Sequence, residues 1–115
     1  MGKKECTEAL TDIDHLKIEF DSSKGRIEYF VVQYYAKIHG KWQTIMRLDN
    51  SHGVPHKHVY HLHSDELKIE LDQENSIAFN EAKNYIEENY LKIKENFLNT
   101  WLKNLLKKTL NYTGA

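Results

Sequence analysis

The chain has 115 residues, 40% of them apolar and 11% aromatic, which by size is one domain (1–115) with a modest core. Lys and Arg number 16 against 17 Asp and Glu, so a net charge of −1 gives no global sign of nucleic-acid binding. No stretch approaches the ~18 apolar residues of a membrane span, the start Met-Gly-Lys-Lys-Glu-Cys lacks the apolar run of a signal peptide, and the single cysteine, Cys6, permits no disulfide within the chain; a cytoplasmic home is expected.

Residues 1–14 are polar and mixed in charge, and the expectation is a short helical turn or a flexible lead. The sheet is expected over 15–72. Leu16, Ile18 and Phe20 alternate with Lys17, Glu19 and Asp21, the period of a half-buried strand. Ser22-Ser-Lys-Gly25 is a turn. From Arg26 to Ile38, β-branched and aromatic residues dominate and predict a long strand. His39-Gly40 then reads as a two-residue hairpin loop into Lys41–Asp49. With Ile38 opposite Lys41, an unbroken ladder sets Val32 opposite Arg47 and Phe30 opposite Asp49. Both faces of this hairpin are largely apolar, which predicts cover on both sides.

Asn50-Ser-His-Gly-Val-Pro55 is a loop by its turn residues, and Pro55 holds Val54 extended. A strand from His56 to Leu62 follows, with His56, His58 and Tyr60 on one face and Lys57, Val59 and His61 on the other. His61 and His63 are expected to be exposed. Leu67, Ile69 and Leu71 alternate with charges as an edge strand. Helix is predicted over 76–110, with Ser76 as its N-cap and an apolar stripe through Ala78, Ala82, Ile86, Tyr90, Ile93, Phe97, Trp101 and Leu105. Such a helix outruns a domain with a radius of gyration of ~13 Å. It is therefore expected to break near Asn89 or Asn96–Asn99, or to project and pair as a homodimer. The fold class is α+β: an antiparallel β-meander of four to five strands with the C-terminal α-helix packed on one face.

Charge is uneven along the chain. Residues 1–90 carry 11 basic and 16 acidic side chains, a net of −5, whereas residues 91–115 carry five basic and one acidic, a net of +4. A basic helix end on an acidic body suits RNA, an acidic partner or a solvated lysine face.

The chemistry concentrates in residues 47–63, which hold five of the seven histidines and one of the two arginines. The candidate catalytic residues are Arg47, Asp49, His52, His56 and His58. A guanidinium grips phosphate or carboxylate through parallel bonds, and imidazole gives and takes protons near neutrality. Together they suit phosphodiester cleavage: one histidine activates a hydroxyl, another protonates the leaving oxygen, and Arg47 stabilises the anion. A second reading is a divalent-metal site, such as zinc, in which His56 and His58 bind with His52 or Asp49 and water takes the open position. A third has the histidines bridging backbone groups at the sheet edge.

Arg47-Leu-Asp-Asn-Ser-His-Gly-Val-Pro-His-Lys-His resembles the Arg-aromatic/Leu-Asp-X-X-His-Gly-X-Pro-His motif of a group of small uncharacterised prokaryotic proteins. It is similar, more distantly, to TumE-type proteins of toxin–antitoxin loci, whose loop before His-Lys-His is longer and richer in proline. The likeness spans about residues 28–63. It implies a toxin–antitoxin or defence component that contacts RNA or a cognate antitoxin protein. Three functions stand side by side on the residues alone: an RNA-directed nuclease, a non-catalytic partner-binding module, and a metal-dependent protein using His-X-His.

Overall fold

The computed structural model describes residues 3–51, 53–61 and 64–113, with side chains as far as 99 apart from 64 and 65. His52 and His63 lie outside the described residues, as do the side chains of Trp101 and Leu105 in the helical stripe. Six strands precede one helix: β1 (Lys3–Thr11), β2 (Asp14–Ser23), β3 (Arg26–Ile38), β4 (Lys41–Asp49), β5 (His56–His61), β6 (Ser64–Glu70) and α1 (Asn75–Thr113). Each strand pairs antiparallel with the next, in the order β1-β2-β3-β4-β5-β6. The architecture is the expected α+β meander with its C-terminal helix, enlarged to six strands.

The added strand is β1, where a helical turn or flexible lead was expected. Its side chains are exposed almost throughout, so it carries no apolar alternation to announce it. Pairing with β2 satisfies its backbone, and ions hold its start: Lys3 Nζ lies 3.3 Å from Glu19 Oε2. A charged edge strand of this kind also discourages pairing with other chains.

The turns Lys24-Gly25 and His39-Gly40 both place two successive residues at positive φ (53° and 76°; 53° and 80°), the backbone of a tight two-residue hairpin. Beyond the second turn the ladder departs from the simple register. Ile38 faces Lys41 and Tyr35 faces Thr44, but Tyr34 faces Met46, Val32 faces Leu48 and Val31 faces Asp49. Ile45 is the extra residue of a β-bulge. Both Ile45 and Met46 thereby enter the core, at 1% and 4% exposure. The expected pairings of Val32 with Arg47 and Phe30 with Asp49 are therefore corrected by one residue. Arg47 and Asp49 leave the face of Phe30 and Val32 and turn to the other side of the sheet.

The core lies between that first face and α1. Leu16, Ile18, Phe30, Val32, Tyr34, Ala36, Met46 and Leu48 meet Ala78, Ala82, Ile86, Ile93 and Phe97. Among the described residues no element covers the opposite face, so the expected cover on both sides is present on one alone. The helix start also differs from expectation. Ser76 is not the N-cap: the Ala78 N–H donates to the Glu74 carbonyl (2.9 Å), and the Ser76 Oγ accepts from the Ile27 N–H (3.2 Å), tying α1 to the β2–β3 hairpin.

The helix runs unbroken through Asn89 and Asn96–Asn99. Asn89 instead donates its side-chain amide to the Tyr85 carbonyl (2.9 Å), one turn back. Its 39 residues span roughly 58 Å at ~1.5 Å per residue, which accounts for a longest dimension of 64 Å and a radius of gyration of 16.5 Å. Of the two expected outcomes, a break is excluded and a projecting helix is seen. No helix is long and apolar enough to cross a membrane among the described residues.

One buried polar knot joins four elements, β1, β2, β3 and α1. Asp14, 1% exposed, accepts from Thr11 Oγ1 (2.6 Å) and Tyr34 OH (2.6 Å), and Lys94 Nζ lies 2.9 Å from its Oδ1. Burial acts to raise the Asp14 pKa, but the bonds from Thr11, Tyr34 and Lys94 outweigh it and hold the carboxyl below its ordinary value. The Tyr34 hydroxyl is pushed up by burial and by its bond to Asp14.

Candidate functional site

The bulge at Ile45 delivers Arg47 and Asp49 to the uncovered face just before β4 ends. Strand β5 then pairs His58 with Arg47 and His56 with Asp49. Cross-strand partners share a face, so these four residues stand on one side of the sheet. From the far side β6 contributes Glu66.

The loop between β4 and β5 is fixed by Asn50, which is 6% exposed. Its Oδ1 accepts from the Phe30 N–H (2.9 Å), and its Nδ2 donates to the Glu28 carbonyl (3.0 Å). Asn50→Ala leaves both backbone groups without that partner and is expected to lower stability by about 1–3 kcal/mol. Urea unfolding checks this; a midpoint equal to the wild type's would show that the loop does not depend on the amide.

At the centre Asp49, with its side chain 4% exposed, accepts from Arg47 Nε at 2.9 Å on Oδ2, while His58 Nε2 lies 3.3 Å from the same oxygen. Asp49 Oδ1 accepts from the Ser51 N–H (3.0 Å). Burial works to raise the Asp49 pKa, but bonds from Ser51 and Arg47 prevail and hold it below the ordinary carboxylate value. The other His58 nitrogen, Nδ1, makes a short contact with Glu66 Oε1. His58 is thus clamped between two carboxylates. Its ring stacks on that of Tyr60, at 6.3 Å and 12°. Burial and the charge of Glu66 push the Tyr60 phenol up, so it stays a neutral donor.

Arg47, Asp49, Ser51, His58, Tyr60 and Glu66 line a cleft of about 220 Å³. His56 stands beside it, its ring 6.4 Å from that of His58, with Nδ1 2.9 Å from the Val54 carbonyl. A roomier cleft of about 400 Å³ between α1 and the sheet is lined by Leu48, Leu71, Ala78 and Ala82 together with Lys57, Glu70, Asp72 and Glu81, but it holds neither a histidine nor an arginine.

A model of the family DUF7718, described as a domain of unknown function, matches residues 1–103. The chain belongs to that family. No curated protein and no solved structure matches it. The DUF7718 match takes in the whole sheet and every residue of the cleft.

Of the five residues singled out in the DUF7718 sequence, Arg47, Asp49 and His58 converge, His56 flanks them, and His52 lies outside the described residues. Among the described residues no group of three or more His, Cys, Asp and Glu is placed to hold a metal ion. Both His58 nitrogens already face carboxylates, and the His56 ring is turned to a backbone carbonyl. His61, expected to be exposed, is half-buried and lines a groove with Phe97 on the helix side. Glu66 and Ser51 escaped the sequence reading, whereas Tyr60 was expected on the face of His56 and His58 but not among the candidate residues. The alternation of Glu66, Lys68 and Glu70 with Leu67 and Ile69 marked a strand, but which charge would return over His58 depends on an irregular register between Val59 and His61.

Proposed function

We propose that the chain is a small cytoplasmic toxin–antitoxin or defence-type protein that cleaves RNA phosphodiesters by metal-independent acid–base chemistry on the open face of its sheet. One observation carries this reading: His58 is held between Asp49 and Glu66, with Arg47 on the same carboxylate, in a cleft open to solvent. The likeness of Arg47-Leu-Asp-Asn and His56-Lys-His58 to TumE-type proteins supports the same setting.

The hydrogen bonds suggest a division of labour. With both nitrogens facing carboxylates, His58 satisfies both only as the doubly protonated imidazolium, the form of a general acid. His56 donates from Nδ1 to the Val54 carbonyl, which leaves the Nε2 lone pair as a base. His56 takes the proton of the ribose 2′-hydroxyl as its oxygen attacks phosphorus. As substrate displaces the more exposed Glu66 carboxylate from Nδ1, His58 gives that proton to the departing 5′-oxygen, so the products are a cyclic phosphate and a free hydroxyl. Arg47 keeps Nε on Asp49 and offers its terminal nitrogens to the phosphoryl oxygens as charge builds. Asp49 and Glu66 are positioning residues that orient the imidazole.

Incubating the purified protein with RNA, with and without EDTA, tests this. Cleavage that survives EDTA is expected; loss on chelation and recovery with zinc or manganese would replace this reading with the metal-dependent one. His61→Ala, on the helix side, is expected to cut as the wild type does.

A second reading, a partner-binding module, is favoured by α1. Long helices need a packed face for stability, and the stripe continues through Trp101 and Leu105 toward the end of a helix that outruns the sheet. Pairing with a second copy, or with an antitoxin, would supply that face. Sedimentation velocity at tens of micromolar is expected to show a dimer, and a monomer throughout would remove the homodimer.

A further inference from the structure

On the face away from α1, successive pairings align one residue from each strand. Thr7 faces Lys17, Lys17 faces Gln33, Gln33 faces Arg47, Arg47 faces His58, and His58 faces Lys68. With strands ~4.8 Å apart, this row crosses the sheet for roughly 24 Å. On one side of it runs an acidic row, in which Glu5 faces Glu19, Val31 faces Asp49, and His56 faces Glu70. On the other side His15, Tyr35 and Trp42 form an aromatic cluster. Ring centroids are 4.6 Å apart for His15–Trp42, 5.5 Å for Tyr35–Trp42 and 5.7 Å for His15–Tyr35. Trp42 is 46% exposed, a large ring left open on an uncovered face.

We propose that this face binds single-stranded RNA across the strands, with phosphates along Lys17, Arg47 and Lys68 and bases stacked on Trp42, Tyr35 and His15. The inference rests on the RNA-cleaving reading above and names the form of substrate that reading requires.

Charge and shape both point this way. Lys17, Arg47 and Lys68 stand in line across the strands, as a polyanion needs, with Lys37 beside Trp42 and Lys3 held on the acidic side by Glu19. Glu19 and Asp49 hold Lys17 and Arg47 from the acidic side, at 3.3 Å and 2.9 Å, and His56 interrupts that side next to Arg47 and His58, where the scissile ribose must reach it. Stacking requires bases whose faces are free, which a duplex hides. Between the cationic and aromatic rows, Lys17, Gln33, Tyr35, Trp42 and Thr44 line a shallow cleft of about 320 Å³. There the Gln33 amide donates to Thr44 Oγ1 (2.9 Å) and keeps its oxygen to accept from a base edge or a ribose hydroxyl. Aromatic stacking tolerates any base, so this track selects unpaired RNA and not a sequence.

The test uses the full chain carrying Trp101→Phe, so that Trp42 alone fluoresces. The probe is 2′-O-methyl oligouridine of about ten nucleotides, within the footprint usual for such surfaces and resistant to cleavage. Quenching on titration is expected, with a log–log salt slope of about −1.4 to −2 for two or three phosphates, reduced by about 0.7 in Lys17→Gln. Trp42→Leu and Tyr35→Leu, checked as folded by thermal melting, are expected to weaken binding about 5- to 100-fold, Trp42→Leu being read by fluorescence anisotropy of a labelled probe. No quenching, equal affinity in both variants, or equal binding of a duplex of the same length would overturn the track. Single-stranded DNA bound as tightly, with the same loss in the variants, would overturn its assignment to RNA. The two readings fail separately. Cleavage that needs Arg47 and His58 but ignores Trp42 and Tyr35 overturns the track and leaves the activity. RNA held at Trp42 but never cut overturns the activity and leaves the track.

Discussion

RNA cleavage is expected to fall by about 10²–10⁴ in His58→Ala, and by about 10²–10³ in Arg47→Ala, with the fold intact in both. The two losses have different origins. His58 moves a proton, and no neighbour can replace it, because Asp49 and Glu66 are held as its acceptors. Arg47 stabilises charge that is largest in the transition state. Its removal should therefore lower kcat more than it raises KM. Neither side chain belongs to the apolar core, which lies on the other face. Circular dichroism of the variants should remain that of the folded wild type, with a lower urea midpoint in Arg47→Ala because the buried Asp49 loses an ion-pair partner, and assays run well below that midpoint separate lost chemistry from lost fold. Glu66→Gln, which keeps shape but removes the charge facing Nδ1, should reduce kcat and alter the pH–rate profile, whereas a purely structural role would leave that profile unchanged. Undiminished cleavage by Arg47→Ala, His56→Ala and His58→Ala would sink the enzymatic reading of this face.

The largest stability effect is expected at Asp14, a residue unrelated to the cleft. Asp14→Ala strands the Lys94 ammonium and the Tyr34 hydroxyl, both part of the buried knot between β1, β2, β3 and α1. Breaking a buried ion pair by removing one partner costs about 3–5 kcal/mol, and the residual exposure of Lys94 places this case near the lower end. Asp14→Asn keeps the shape, so the pH dependence can be isolated. The folded carboxyl lies below its ordinary value of 3.8. The unfolded chain therefore binds the proton more readily, and the contribution of Asp14 is fully present above about pH 4 and lost as pH falls toward the folded value. Asp49 is lowered in the same direction, so the wild type alone cannot assign the effect. The gap in urea midpoint between wild type and Asp14→Asn should be wide at pH 7 and narrow at pH 3. A gap indifferent to pH would mean that the knot acts through packing and not through charge.

Local features were legible because they depend on near neighbours. Alternation marked β2 and β6, β-branched and aromatic composition marked β3, Gly25 and Gly40 marked the tight turns and with them the start of β4, Pro55 marked the start of β5, and the three- and four-residue stripe from Ala78 to Phe97 marked the face of α1. The same chain pointed to residues 47–63 as the place where charged and titratable groups gather. Other features had no local signal. Strand β1 is polar on both sides, and only its partner β2 makes it a strand. The bulge at Ile45 is invisible to a count with a period of two, yet it decides which side of the sheet Arg47 and Asp49 face. Without it they would lie with Phe30 and Val32 under α1. Asp14 looked like the end of a flexible lead until Lys94, 80 residues away, closed on it. The sequence by itself thus determined the periodic elements, the turns and the residues available for chemistry, because propensity and alternation act between near neighbours. The tertiary structure alone decided the open face, the clamp of Asp49 and Glu66 on His58, and the row from Lys17 to Lys68. Each of these depends on strand register, and register is settled by core packing across the whole sheet.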